Sequence, residues 1–198
     1  MSGIIGEPDS ATPLDPDDLE GVKFKHIKTR GELDELEQVN IQSGLQWLSR
    51  IRIKDVLSEE FIRTLHKRMF GDVWSWAGTF RSTEKNVGID PIQIGEQLRM
   101  LLDDARYWAE HETYPRLEAA ARFHHRIVQI HCFPNGNGRH ARIATDAYLQ
   151  ERFAHPPIDW AGGFDLMQSN ERRDEYIAAL RAADAGDYEP LLSFVGAD

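Results

Sequence analysis

The feature that most constrains this chain is the stretch 131–142, which reads His-Cys-Phe-Pro-Asn-Gly-Asn-Gly-Arg-His-Ala-Arg. It combines a titratable imidazole, glycines that leave backbone amides unshielded, and arginines three positions apart. Apolar residues at helical spacing flank it on both sides. They are Ala120, Phe123, Ile127 and Ile130 before it, and Ala141, Ile143, Ala144, Ala147 and Tyr148 after it. The pattern predicts a loop between two buried helices, opening onto a helix N-terminus.

That arrangement suits a phosphate group. Free N–H groups and the positive end of the helix dipole converge at a helix N-terminus, and glycine lets the backbone approach a ligand closely. Arg139 and Arg142 are spaced to share a helix face and to fork onto phosphate oxygens. His131 could accept a proton from an attacking hydroxyl beside the same loop. The alternative is a structural helix–loop–helix with a packed histidine.

The stretch resembles the signature of Fic-domain proteins, His-x-Phe-x-(Asp/Glu/Asn)-Gly-Asn-Gly-Arg-x-x-Arg, at every fixed position. The resemblance implies an all-α fold, a Fic-type helical bundle with one short β-hairpin flap. Residues 1–22 are then an extended or mobile N-terminal tail, and residues 23–198 the Fic domain. The order of elements and the closing stretch 176–188 are similar to the bacterial branch called mobile mystery protein B. That likeness implies a toxin-like protein with a small helix-turn-helix, antitoxin-like partner.

The implied activity is transfer of AMP from ATP to a Ser, Thr or Tyr hydroxyl of a target protein, with Mg²⁺ as cofactor. By resemblance His131 takes the proton of the hydroxyl, Asn137 orients the α-phosphate, and Arg139 contacts the outer phosphates. Asn135 stands where many members carry Asp or Glu, so it is expected to be a weak metal ligand. The implied nucleotide-binding residues are Asn135, Gly136, Asn137, Gly138, Arg139 and Arg142.

Residues 78–94 break the helical rhythm before the motif. Gly88 and Pro91 punctuate the segment, and apolar residues alternate on either side of them. This pattern predicts a short hairpin, whose free edge could pair with an extended peptide. The resemblance implies that Val87, Gly88 and Ile89 form a flap that aligns the target beside the histidine. An ordinary connecting loop is the alternative.

A helix is predicted from Thr29 to about Arg50, and its first turns are acidic. Many Fic proteins have an inhibitory helix whose glutamate pairs with the second arginine of the motif, here Arg142. By that resemblance Glu37 and Glu35 are candidate inhibitory residues, although the sequence around them matches the usual pattern imperfectly. Compensation of the helix dipole explains the acidic turns equally well.

Composition narrows the class of protein. The net charge is −10 and no block of Lys and Arg stands out, so neither direct nucleic-acid binding nor an anionic-membrane surface is expected. No apolar run is long enough to span a membrane, and the N-terminus lacks a signal-peptide pattern. The expected location is the cytoplasm. The single cysteine, Cys132, excludes an internal disulfide, and a passive role is expected for it.

Two further functions stay open. A Doc-like phosphotransferase would transfer the γ-phosphate instead, but such relatives lack the Gly-Asn-Gly-Arg run found here. A catalytically silent nucleotide-binding interaction module would bind ATP and transfer nothing. The mass added to a target, that of AMP or that of phosphate, separates AMP transfer from phosphate transfer. Binding of ATP without any transfer identifies the silent module.

Overall fold

The computed structural model describes residues 21–24, 30–51, 55–163 and 170–197. The fold within these ranges is all-α, as predicted. Its helices, in chain order, are α1 (Arg30–Arg50), α2 (Glu59–Phe70), α3 (Ile94–Glu110), α4 (Arg116–Ile130), α5 (Asn137–Phe153), α6 (Glu171–Asp184) and α7 (Glu189–Val195).

Local signals explain where the helices begin. The Ser58 hydroxyl accepts a hydrogen bond from the Phe61 N–H and caps α2. The Asn170 side chain caps α6 in the same way, through the Arg173 N–H. The sequence predicts this helix over residues 58–70, with Ser58 as its cap and Leu65 and Met69 in its apolar stripe. Both side chains are fully buried, so the prediction of α2 and its cap is confirmed.

Two buried clusters hold the helices together. The larger lies among α1 to α5, with α1 packed on α2 and α4 packed on α5. The smaller joins the other side of α4 and α5 to α6 and α7. The loop of residues 131–136 connects α4 to α5, and its Phe133 is fully buried in the larger cluster. The motif is therefore anchored in the core.

The predicted β-hairpin over residues 78–94 is not formed, and this part of the prediction is wrong. Residues 79–90 run as an irregular loop and lead into a 3₁₀ turn, Pro91–Gln93. Arg81 supplies the reason, because its guanidinium binds the carbonyls of Thr83 and Ile89, which a strand ladder would have used. Asp90 then caps the turn through the Ile92 N–H.

The N-terminal side is described in part. Gly21 and Lys23 exchange backbone hydrogen bonds with Ser75 and Val73 across the bridge of Val22 with Trp74. Apart from Gly21 and Val22, the predicted tail 1–22 lies outside the described residues, and so does the predicted first residue of α1, Thr29. Among the helices that are described, none has the length and apolar character of a membrane span.

Candidate functional site

His131 ends α4 in a left-handed conformation, with φ 55° and ψ 61°. A residue other than glycine rarely adopts this region, and holding it there costs about 1–3 kcal/mol. The conformation turns the chain sharply, so that Cys132 and Phe133 enter the core while the imidazole stays half-buried. Arg81 secures the turn, because its Nε donates to the His131 carbonyl at 2.6 Å.

The imidazole of His131 is held in its neutral form. Burial first, and then the positive charges of Arg81 and Lys85, together lower its pKa from the usual value to about 4. A neutral imidazole can accept a proton at pH 7. The adjacent thiol is inert, because burial raises the pKa of Cys132 to about 12. Cys132 is therefore passive, as the sequence predicted.

Asn137 closes the motif loop. Its side chain accepts from the Phe133 N–H at 2.9 Å and donates to the Phe133 carbonyl at 2.7 Å. These bonds engage the amide oxygen and one N–H, and the residue is buried. The Asn137 side chain thus sets the shape of the loop, and its role in orienting a phosphate stays a prediction.

His66 on α2 supports the loop from the core side. Its ring stacks on Phe133, with 3.7 Å between centroids. Its Nδ1 accepts from the Gly78 N–H, so Nε2 carries the proton and donates to the Asn135 carbonyl at 3.0 Å. Burial lowers the pKa of His66 well below its usual range, which keeps this arrangement neutral. The sequence analysis missed His66, although its neighbours belong to the apolar stripe of α2.

The backbone amides at the start of α5 differ in whether they have a hydrogen-bond partner. Gly136 has φ 76°, and a side chain there would collide with the Phe70 ring, 2.6 Å from an added Cβ. The Gly136 N–H is occupied by the Asn135 side-chain oxygen at 2.6 Å. The N–H groups of Asn137, Gly138 and Arg139 make no hydrogen bond among the described residues. These three amides are therefore available for the predicted anion cradle, whereas that of Gly136 is not.

In the described ranges, the residues around the motif do not make a metal site by themselves. No group of three or more His, Cys, Asp or Glu in the described part of the chain could hold a metal ion. Asn135 offers one neutral oxygen, and that oxygen accepts the Gly136 N–H. A hard cation such as Mg²⁺ prefers carboxylate oxygens.

Glu37 on α1 reaches the motif and pairs with Arg139. One carboxylate oxygen accepts from the Trp74 indole N–H at 2.7 Å, and the other lies 2.5 Å from Nη1 of Arg139. Glu37 is 1% exposed. The Arg139 guanidinium also lies over the Phe70 ring, at 4.8 Å. The expectation that the acidic helix reaches Arg142 is corrected, because the first arginine of the motif is its partner. Glu35 is exposed.

Arg142, one turn further along α5, lies against α6. Its guanidinium carbon is 5.6 Å from the centre of the Tyr176 ring. The Tyr176 hydroxyl lies 2.8 Å from Nε2 of His124, which burial keeps neutral by lowering its pKa to about 3. Burial raises the pKa of Asp146 to about 6, and the positive charge of Arg142 opposes this shift. The two arginines thus have different acidic and aromatic neighbours.

The predicted flap residues lie beside the histidine even though no hairpin forms. An added Cβ at Gly88 would come within 2.6 Å of the His131 Cβ. Val87 is half exposed, and the Ile89 carbonyl binds Arg81. The loop of residues 83–90 is called the flap below. Sequence reasoning missed Arg81, because nothing in the pattern marks an arginine that binds main-chain carbonyls.

The comparisons with known proteins agree with this geometry. The sequence matches the profile of the Fic/DOC family over residues 56–149. Protein adenylyltransferase fic-1 of Caenorhabditis elegans is 32% identical over 170 residues, which cover 80% of this chain. The chain spans 31% of that relative's length.

Solved structures share the fold. Fic-1 (aa134 - 508) from C. elegans superposes with a TM-score of 0.65 at 26% identity, covering 85% of this chain and 50% of that one. BepC from Bartonella tribocorum, with bound AMPPNP, gives a TM-score of 0.67 at 17% identity, covering 85% of this chain and 87% of its own. The motif, the fold and these relatives together show that the chain belongs to the Fic/DOC family.

Proposed function

We propose that this protein is an autoinhibited adenylyltransferase that transfers AMP from ATP to a hydroxyl side chain of a target protein. The observation that carries the proposal is the neutral, half-buried His131 beside the unpaired amides that open α5. A base and an anion cradle on one loop are what phosphoryl-type transfer requires from a protein. Its curated relatives named protein adenylyltransferase support the choice of transferred group.

The reaction follows from the placement of these groups. The target hydroxyl oxygen attacks the α-phosphorus of ATP, and its proton passes to the imidazole of His131. The bond from the α-phosphorus to the bridging oxygen breaks, and pyrophosphate leaves. The amides of Asn137, Gly138 and Arg139 are placed to bind phosphate oxygens, and the Arg139 and Arg142 side chains to bind the outer phosphates. The flap holds the target chain next to His131.

Autoinhibition rests on the Glu37–Arg139 ion pair. Arg139 cannot bind a phosphate oxygen with the Nη1 that already meets Glu37. A buried carboxylate beside the cradle also repels the triphosphate. Releasing Glu37 therefore raises nucleotide binding and activity. Glu35 is not expected to take part, because it is exposed.

The test is incubation of the protein with α-labelled ATP and a cell lysate. Four forms are compared: wild type, Glu37→Gln, His131→Ala, and the double variant. Label should appear on protein with Glu37→Gln and be lost in the double variant. A mass increase of one AMP on the labelled protein identifies the group. Transfer that persists without His131 would contradict the proposal.

A silent nucleotide-binding module is the second candidate, and the Glu37–Arg139 pair is what favours it. Such a module binds ATP and transfers nothing, even when Glu37 is neutralised. Binding of ATP to Glu37→Gln without label on any protein would select it over the adenylyltransferase.

The proposal also includes the Mg²⁺ cofactor, the partner and the location that the sequence predicts. Mg²⁺ is expected to arrive with the triphosphate, since Asn135 supplies at most one neutral oxygen. A small helix-turn-helix partner of the antitoxin type and a cytoplasmic location remain predictions. Co-purification of a small basic protein from the native host would support the first, and the single buried cysteine is compatible with the second.

A further inference from the structure

Arg81 is a buried arginine that binds main-chain carbonyls instead of a carboxylate. It is 4% exposed. Nε donates to the carbonyl of His131 at 2.6 Å, and Nη1 donates to that of Thr83 at 3.0 Å. Nη2 donates to the carbonyl of Ile89 and lies 3.4 Å from that of Ile130. Within the described part of the chain it makes no ion pair, so the hydrogen bonds of its guanidinium go to peptide carbonyls.

These carbonyls come from two separate parts of the chain. Thr83 and Ile89 belong to the flap, whereas Ile130 and His131 are the last carbonyls of α4, where the helix dipole is negative. The backbone N–H of Arg81 adds a bond to the Cys132 carbonyl at 2.9 Å. The Arg81 side chain thus joins the C-terminal end of α4 to the flap.

Close packing makes this link rigid. Gly88 has φ 99°, and an added Cβ would lie 2.6 Å from the His131 Cβ and 2.7 Å from Nη2 of Arg81. The flap backbone therefore touches both residues, and there is no room for a side chain between them. A shift of the guanidinium would displace the flap and the left-handed turn at His131 together.

We propose that Arg81 is a positioning residue that sets the distance between the target-binding flap and the imidazole of His131. It acts on the transfer of AMP to the target and leaves nucleotide binding to the cradle at the other end of the loop. The inference rests on the proposed adenylyltransferase activity. Misplacement of reacting groups by about 1 Å costs roughly 10²-fold in rate, so a loss of this link falls on kcat.

Arg81 also contributes charge. The pKa of His131 is lowered first by burial, then by the positive charges of Arg81 and of Lys85 on the same flap. Around Arg81 the negative charges of Glu84 and Asp90 act from the flap, whereas the Cys132 thiol on the motif loop is neutral at pH 7. Removing the charge of Arg81 therefore raises the pKa of His131, whereas removing only its planar fork does not.

The test uses full-length protein carrying Glu37→Gln to release the nucleotide site. Arg81→Lys keeps the charge but cannot span the flap and α4. Arg81→Gln keeps two N–H donors and loses the charge. Arg63→Lys is the matched control, because Arg63 also donates Nε to a main-chain carbonyl, that of Gly78 at 2.9 Å, without contacting the flap or His131.

Three measurements are compared: ATP affinity by calorimetry, single-turnover rate of AMP transfer, and hydrogen exchange of residues 83–90. Both Arg81 variants should lose about 10²-fold in rate and lose protection of the flap, with ATP affinity unchanged. The imidazole pKa of His131, followed by NMR and assigned through His131→Ala, should rise in Arg81→Gln alone.

If Arg81→Lys keeps the same transfer rate, and the same protection of the flap from hydrogen exchange, as the control Arg63→Lys, the proposal is overturned. If the Arg81 variants lose ATP affinity by the same factor as transfer rate, the proposal is also overturned, because the substitution would then disturb the whole site and not the position of the flap alone. If the protein carrying Glu37→Gln alone transfers no AMP, the proposed adenylyltransferase function is wrong. Flap exchange and the His131 pKa then still report whether Arg81 holds the two segments.

Discussion

Arg139 and Arg142 are identical residues, one turn apart on α5, with unlike surroundings. Arg139 faces α1 and α2, where it pairs with Glu37 and lies over the Phe70 ring. Arg142 faces α6, where it lies against Tyr176 and near Asp146, whose bonds go to the loop after α5. One arginine is held by a buried carboxylate, and the other lies against an aromatic ring whose hydroxyl meets a neutral histidine. The neighbours that each arginine meets, and not its residue type, decide whether it pairs with a carboxylate.

The largest difference between the two sides should appear in stability. Arg139→Gln leaves Glu37 buried without a cation, which costs about 3–5 kcal/mol. Arg142→Gln removes no close ion pair and should cost about 1 kcal/mol. The free energy of unfolding from urea titration at pH 7 measures both. As the control, adding Glu37→Gln to Arg139→Gln should restore most of the lost free energy of unfolding. Equal losses of stability in Arg139→Gln and Arg142→Gln would contradict the comparison.

The next largest difference should appear in the ATP affinity of variants at Glu37 and Asp146. Glu37→Gln keeps the acceptor for Trp74 and removes the charge beside the cradle, so ATP affinity should rise about ten-fold, or 1.4 kcal/mol. Asp146→Asn should change it by less than about two-fold, since Asp146 bonds to Ile158 and Trp160. Calorimetric titration measures both, and exposed Glu35→Gln is the matched control. A comparable gain from Asp146→Asn would show that both arginines are restrained.

On the Arg142 side, Tyr176→Phe tests the aromatic support. It removes the hydroxyl that lies 2.8 Å from Nε2 of His124, leaves that nitrogen unsatisfied, and should cost about 1–2 kcal/mol of stability. The ring against Arg142 remains, so ATP affinity should stay near that of wild type. Thermal unfolding and ATP titration of the same sample measure the two effects. A large loss of affinity would mean that the hydroxyl positions Arg142.

The smallest effect is expected at Asn135, between the histidine and the cradle. Asn135→Asp keeps the acceptor for the Gly136 N–H and adds a carboxylate, so the Mg²⁺ dependence of ATP binding should tighten by about three- to ten-fold. ATP binding without Mg²⁺ should weaken, because the added charge repels phosphate. Titrations with Mg²⁺ and with EDTA measure both. Unchanged Mg²⁺ dependence would show that this position does not meet the metal.

Much of the site was predictable because it is local. The helix–loop–helix around residues 131–142, the α2 cap at Ser58 and the passive Cys132 follow from spacing and side-chain type. The flap was placed correctly beside His131, yet its hairpin was wrong, because the alternation of Val87, Ile89 and Ile92 does not reveal that Arg81 takes the carbonyls of the segment. The bonds of the Asn137 amide to Phe133 were not predicted, because nothing in the spacing marks them.

The sequence by itself determined the helical class, the order of the helices and the chemistry carried by the motif, since these depend on residues near one another in the chain. Only the tertiary structure decided that Glu37 meets Arg139, that His66 supports the Asn135 carbonyl, and that Arg81 joins the flap to His131. Each of these contacts joins distant segments, and the packing of α1 on α2 and of α4 on α5 sets which atoms meet. Spacing along the chain predicts which residues share a helix face, but not which neighbour that face will contact.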